Sequence, residues 1–181
     1  MITIGFLELN SIAKGILAAD KMIKAAAIKL IAARPSCPGK YQILISGEVS
    51  AVKTSLKAGS EAASANVIDQ LLIPRIHPQV IDAINLASMP SSLKALGVLE
   101  FFSVTAAITA ADAAVKAANV ELIEVRLGTG IGGKSFVTLT GDVGAVEMSV
   151  RSGAKTAEET GLLINQVVIA SPDKELYKYL L

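Results

Sequence analysis

At 181 residues the chain has room for one large domain or two small ones, at roughly 100–200 residues per domain. Hydrophobic residues make up 52% and charged residues only 18%, enough apolar surface to offset chain entropy and exclude a disordered polar tail. With 17 basic and 16 acidic residues, a net charge of +1 and 4% aromatics, the chain has neither the basic footprint nor the stacking rings of a nucleic-acid binder.

In chain order, Ile2–Leu9 reads as a strand that ends at Asn10-Ser11, residues suited to cap a following helix. In that helix Ile12, Ile16, Ala19 and Ile23 recur on one face of a 3.6-residue period. Lys29–Arg34 and Tyr41–Gly47 are short strands around the break Pro35-Ser36-Cys37-Pro38-Gly39. A second helix from Glu48 places Val49, Val52, Leu56, Gly59 and Ala63 on one face and Lys53, Lys57 and Glu61 on another. Val67–Pro74 closes the unit as a strand, and Ala87-Ser88-Met89-Pro90-Ser91-Ser92 has the Pro and Ser content of a linker.

After the linker the pattern returns. Residues 4–34 laid on 96–126 give 14 identities in 31 positions without a gap, among them Gly5/Gly97, Glu8/Glu100, Ser11/Ser103, Asp20/Asp112, Lys24/Lys116 and Arg34/Arg126. Two residues are then added, and the match resumes with Gly39/Gly133, Lys40/Lys134, Gly47/Gly141, Val52/Val146, Ser55/Ser149 and Gly59/Gly153. The second copy's last helix repeats the apolar face with Val143, Val146, Val150, Gly153 and Ala157. A repeat of this length is a whole small domain. The expectation is an α+β protein of two tandem ferredoxin-like βαββαβ domains, residues 1–87 and 93–181.

No uninterrupted apolar run reaches the ~18 residues that a spanning helix needs, since Glu100, Asp112 and Lys116 break the richest stretch. The N-terminal segment lacks a basic start and carries Glu8, so it does not read as a signal peptide. Cys37 is the single cysteine and cannot form an internal disulfide, which suits the cytosol.

The octet Gly128-Thr129-Gly130-Ile131-Gly132-Gly133-Lys134-Ser135 satisfies the phosphate-loop pattern GxxxxGK[ST]. That chemistry needs a helix to begin at the lysine, so that its first amides face phosphate. Here the β-branched alternation Phe136-Val137-Thr138-Leu139-Thr140 reads as a strand, and the first copy lacks the pattern, so the octet is a Gly-rich hairpin. The lone His77 has no second histidine or cysteine near it in sequence and reads as a solvent-facing turn residue. Glu8 and Glu100, at equivalent strand positions, read as repeated structural acceptors rather than an acid/base pair. No catalytic constellation emerges.

The duplicated pieces Gly5–Ser11, Ala18–Ala26, Gly39-Lys40 and Gly47–Val52, with Gly97–Ser103, Ala110–Ala118, Gly133-Lys134 and Gly141–Val146, resemble the bacterial microcompartment shell-protein domain over the whole chain. The resemblance is to the tandem-domain shell subunits, and Ile12–Gly15 with Ser36–Lys40 looks closest to the T-type subunit of propanediol-utilisation compartments. It implies a homotrimer of pseudo-hexameric shape, tiled laterally with other shell proteins around cytoplasmic enzymes. It places Lys24, Lys116 and Arg75 at lateral shell contacts, and the second copy has Ala170-Ser171 where the first has Arg75. It places Ser36, Cys37, Pro38, Thr129, Gly130 and Ile131 around a central pore. It further implies a [4Fe-4S] cluster, one per trimer, held by Cys37 of the three chains and serving electron transfer across the shell. Two other readings stay open from the residues: a cluster-free shell subunit with a metabolite pore, and a ligand-binding regulator built from duplicated ferredoxin-like units.

Overall fold

The computed structural model describes residues 2–88, 90 and 92–180; Met89 and Ser91 of the expected linker lie outside the described residues. The chain divides into two compact units, Met1–Ile76 and His77–Leu181.

The first unit runs β1 (Thr3–Leu9), α1 (Ile12–Ala25), β2 (Lys29–Ser36), β3 (Lys40–Gly47), α2 (Val49–Ala63) and β4 (Val67–Ile73). Its sheet has the order β2-β3-β1-β4 with antiparallel neighbours, the arrangement of a split βαβ fold. The second unit begins with α3 (Pro78–Ile84) and continues β5 (Ala95–Phe101), α4 (Val104–Ala117), β6 (Val120–Leu127), β7 (Ser135–Gly141), α5 (Val143–Glu158) and β8 (Leu163–Ile169). Its sheet repeats the order as β6-β7-β5-β8. The expected α+β fold is therefore present twice. The helix α3 follows the first closing strand in sequence but packs on β6 and α4 of the second unit.

Several identities between the copies have a direct physical cause. Ser11 and Ser103 are the residues before α1 and α4, and each hydroxyl accepts a backbone N–H of the first turn, from Lys14 at 3.3 Å and Ala106 at 3.4 Å. Gly5 and Gly97 lie under α2 and α5, where an added Cβ would meet Val52 and Val150 at 2.7 Å. These glycines let helix and sheet approach closely.

The core of the first unit is built on Leu7, Leu9, Ala18, Met22, Ile43, Ile45, Val52 and Leu56. The face of α1 in this core differs from the expected one. Gly15, Ala18, Ala19 and Met22 are buried, while Ile12, Ile16 and Ile23 are exposed. Close packing favours the small side chains: a Cβ on Gly15 would collide with the Tyr41 ring, and Gly59 of α2 lies against Met22. The isoleucine row is left outward. In the second unit α3 packs beside α4, and Ile108 is fully buried whereas its counterpart Ile16 is 57% exposed.

Candidate functional site

Strands β2 and β3 form a hairpin whose last pair is Ser36 and Lys40, so the turn consists of Cys37, Pro38 and Gly39. Gly39 has φ +71°, a conformation that side chains rarely adopt, although nothing lies within 4 Å of the Cβ it lacks. The backbone of the turn, not crowding, calls for glycine here. Cys37 is half-buried and in no disulfide, Pro38 is exposed, and the peptide between them is cis.

Beneath this turn lies a buried polar group. Glu8 of β1, Gln42 of β3 and Ser36 of β2 are each no more than 5% exposed. The Gln42 side-chain amide Nε2 donates to Ser36 Oγ at 3.0 Å and to Glu8 Oε1 at 3.3 Å. Lys40 Nζ donates to Glu8 Oε2 at 3.2 Å, so both carboxylate oxygens have a donor. A buried carboxylate without such partners would be costly. Glu8 is thus the structural acceptor expected from its repeat, and Glu100, paired with Lys134 at 3.1 Å, is its counterpart.

The second hairpin keeps that ion pair and changes the rest. Its connection spans 128–134, with Thr129 and Gly130 exposed and Ile131 half-buried. Phe136 stands where the first unit has Gln42, and the Arg126 guanidinium lies over its ring at 5.8 Å while pairing with Glu124. This connection has no cysteine. Lys134 is followed at once by β7, so no helix begins there to face phosphate.

The expected edge residues sit on equivalent helices in unlike surroundings. Lys24, in the last turn of α1, is 70% exposed and pairs with the exposed Asp20 at 2.7 Å. Lys116, in the last turn of α4, is 44% exposed and pairs with Asp112 at 2.5 Å. Asp112 is nearly buried because its other oxygen accepts the His77 backbone N–H at 2.8 Å at the start of α3. His77 is therefore not the solvent-facing turn residue expected from sequence. It is half-buried, with Nδ1 enclosed, because α3 packs its start onto α4. Arg75 lies exposed in the turn before α3, with φ +57°.

Among the described residues no cluster of three or more His, Cys, Asp or Glu side chains could hold a metal within one chain, and no helix is long and apolar enough to cross a membrane.

The BMC domain model matches residues 3–76 and again 95–172. The chain belongs to the BMC domain family. A microcompartment shell protein, PduT of Citrobacter freundii, is 40% identical over 97% of this chain and 95% of its own length. PduA of Salmonella typhimurium, also a microcompartment shell protein, is 41% identical over 48% of this chain and 90% of its own length. A crystal structure of a microcompartment protein from Desulfitobacterium hafniense superposes with a TM-score of 0.94 at 52% identity, covering 98% of this chain and 99% of that one. A BMC chain of this kind is a shell subunit of a bacterial microcompartment and not an enzyme. Its two BMC matches correspond to the two copies read from the internal repeat.

Proposed function

We propose that the chain forms a homotrimer in the shell, with the Cys37 turns of three chains meeting at a central pore and holding one [4Fe-4S] cluster. Two BMC domains per chain, taken three times, close a ring of six similar wedges around a threefold axis. The observation that carries the reading is the Cys37 turn itself: a hairpin tip with one thiol, braced from below by buried polar groups, on a chain 40% identical to PduT along nearly its whole length.

The residues fit the group only through symmetry. A four-iron cluster normally takes about four cysteine thiolates, and each chain supplies one. Three copies of Cys37 account for three of these positions, leaving the last iron to water or a non-thiolate ligand. Such a cluster exchanges single electrons, and its potential responds to solvent exposure and to hydrogen bonds near its sulfurs. The chain's part is to present the thiols at the pore and to hold the pore wall, for which Ser36, Cys37, Pro38, Thr129, Gly130 and Ile131 are the proposed lining, Ser36 through its backbone because its side chain is buried beneath the turn. Lateral tiling with other shell proteins is assigned to Lys24, Lys116 and Arg75.

Anaerobically purified protein and its Cys37→Ser variant test this reading. The expected result is a trimer by sedimentation in both, with absorbance near about 400 nm in the native protein only. A stable monomer at micromolar concentration would contradict the ring. A native trimer without that absorbance would leave a cluster-free wall with a metabolite pore, and absorbance that persists in Cys37→Ser would remove Cys37 as its ligand.

A further inference from the structure

Two parts of the Cys37 hairpin need separate explanations. The Glu8–Lys40 pair recurs as Glu100–Lys134 and so belongs to the hairpin common to both units. The bridge from Ser36 through Gln42 to Glu8 does not recur: Phe136 replaces Gln42, and the second connection has no cysteine. Burying such a bridge is costly, the more so because Gln42 Oε1 is enclosed without a hydrogen-bond partner, and an apolar side chain serves the same strand position in the second unit. The polar bridge therefore accompanies the thiol rather than the fold.

Its geometry shows what it can do. Ser36 is the residue immediately before Cys37 and the last of β2, while Gln42 and Glu8 face each other across β3 and β1. One amide group thus ties the stem of the turn to the central strands of the sheet through two hydrogen bonds. The enclosed position of all three side chains keeps water from competing for them.

We infer that Gln42, acting through Ser36, is a positioning residue for the Cys37 thiol. This inference rests on the proposed cluster, whose three thiolates must be held at matching distances in three chains at once. Metal–ligand distances tolerate only about 0.2 Å, and groups that orient ligands commonly change metal affinity by about 10–100-fold. A turn free to shift at its stem would present each thiol over a wider range. Gln42 touches neither thiol nor iron; its effect passes through the backbone at Ser36.

The test compares wild type, Gln42→Leu, Ser36→Ala and the double variant as full-length trimers. Leu keeps the volume of Gln and removes the donor; Ala at position 36 removes the acceptor and is the milder change should the first fail to fold. Two rates are read: loss of the cluster to a chelator under anaerobic conditions, and alkylation of Cys37 by iodoacetamide in iron-free trimer. Both rates are expected to rise, cluster loss by about tenfold, with sedimentation unchanged. The double variant is expected to be no faster than the faster single variant, since both break one bridge. Wild-type rates for both processes in folded, trimeric Ser36→Ala and Gln42→Leu would overturn the inference. If wild type takes up no iron, the cluster reading fails by itself, and the alkylation rates still decide whether Gln42 positions the thiol.

Discussion

Gly15 of α1 lies flush against the ring of Tyr41 on β3, so close that a Cβ on Gly15 would overlap the Tyr41 Cβ, Cγ and Cδ1 atoms. The equivalent positions of the second unit carry Ala107 and Ser135, both fully buried. A larger helix residue there accompanies a much smaller strand residue. The two units thus solve the same helix–sheet approach with exchanged volumes, as close-packed interiors require.

Gly15→Ala is expected to destabilise the protein by about 1–3 kcal/mol through overpacking. Adding Tyr41→Ser removes the colliding ring, so the double variant is expected to be more stable than the sum of the two single changes by about 0.5–3 kcal/mol. Urea denaturation of the four proteins measures this coupling. Strict additivity would show that the two side chains do not share the space.

The edge lysines are expected to respond differently to charge reversal. Lys24→Glu should abolish extended sheets in electron micrographs while leaving the trimer and its thermal stability unchanged, because Lys24 and Asp20 are both well exposed. Lys116→Glu should also abolish sheets, and in addition lower the melting temperature by about 2–4 °C. Its carboxylate would face the nearly buried Asp112, which holds the start of α3 through the His77 amide. Unchanged sheets in both variants would reduce the lysines to ordinary surface charges.

Calorimetric titration with ATP is expected to show no binding at micromolar concentrations. The glycine-rich octet ends in β7, and Lys134 is engaged with Glu100. Micromolar affinity that disappears in Lys134→Ala would reverse this conclusion.

Much of the fold could be read from the chain because it is written twice. The repeated glycines and cap serines mark where helix meets sheet and where α1 and α4 begin, and each has the same local cause in both units. The buried face of α1 was not legible in the same way. A hydrophobic period points to Ile12, Ile16 and Ile23, yet helix–sheet proximity at Gly15 selects glycine and alanine instead. Tyr41, whose ring sets that proximity, lies on β3 and shares no sequence pattern with Gly15 of α1. The half-burial of His77 was hidden for a related reason: it depends on His77, at the start of α3, meeting Asp112, 35 residues away, in the second unit. At the candidate site the sequence picks out Cys37, Ser36 and Pro38 but not Gln42, whose part emerges only when three strands bring it between Ser36 and Glu8. Its one sequence trace is the change to Phe136 in the copy without a cysteine.

The central claim is a cluster shared by three chains, and its most direct test is a count. Iron, acid-labile sulfide and protein are measured on trimer purified without exposure to air, before and after anaerobic reconstitution. The account predicts about four iron and four sulfide per trimer, lost in Cys37→Ser without loss of the trimer. A wild-type trimer with neither iron nor sulfide after reconstitution would contradict it.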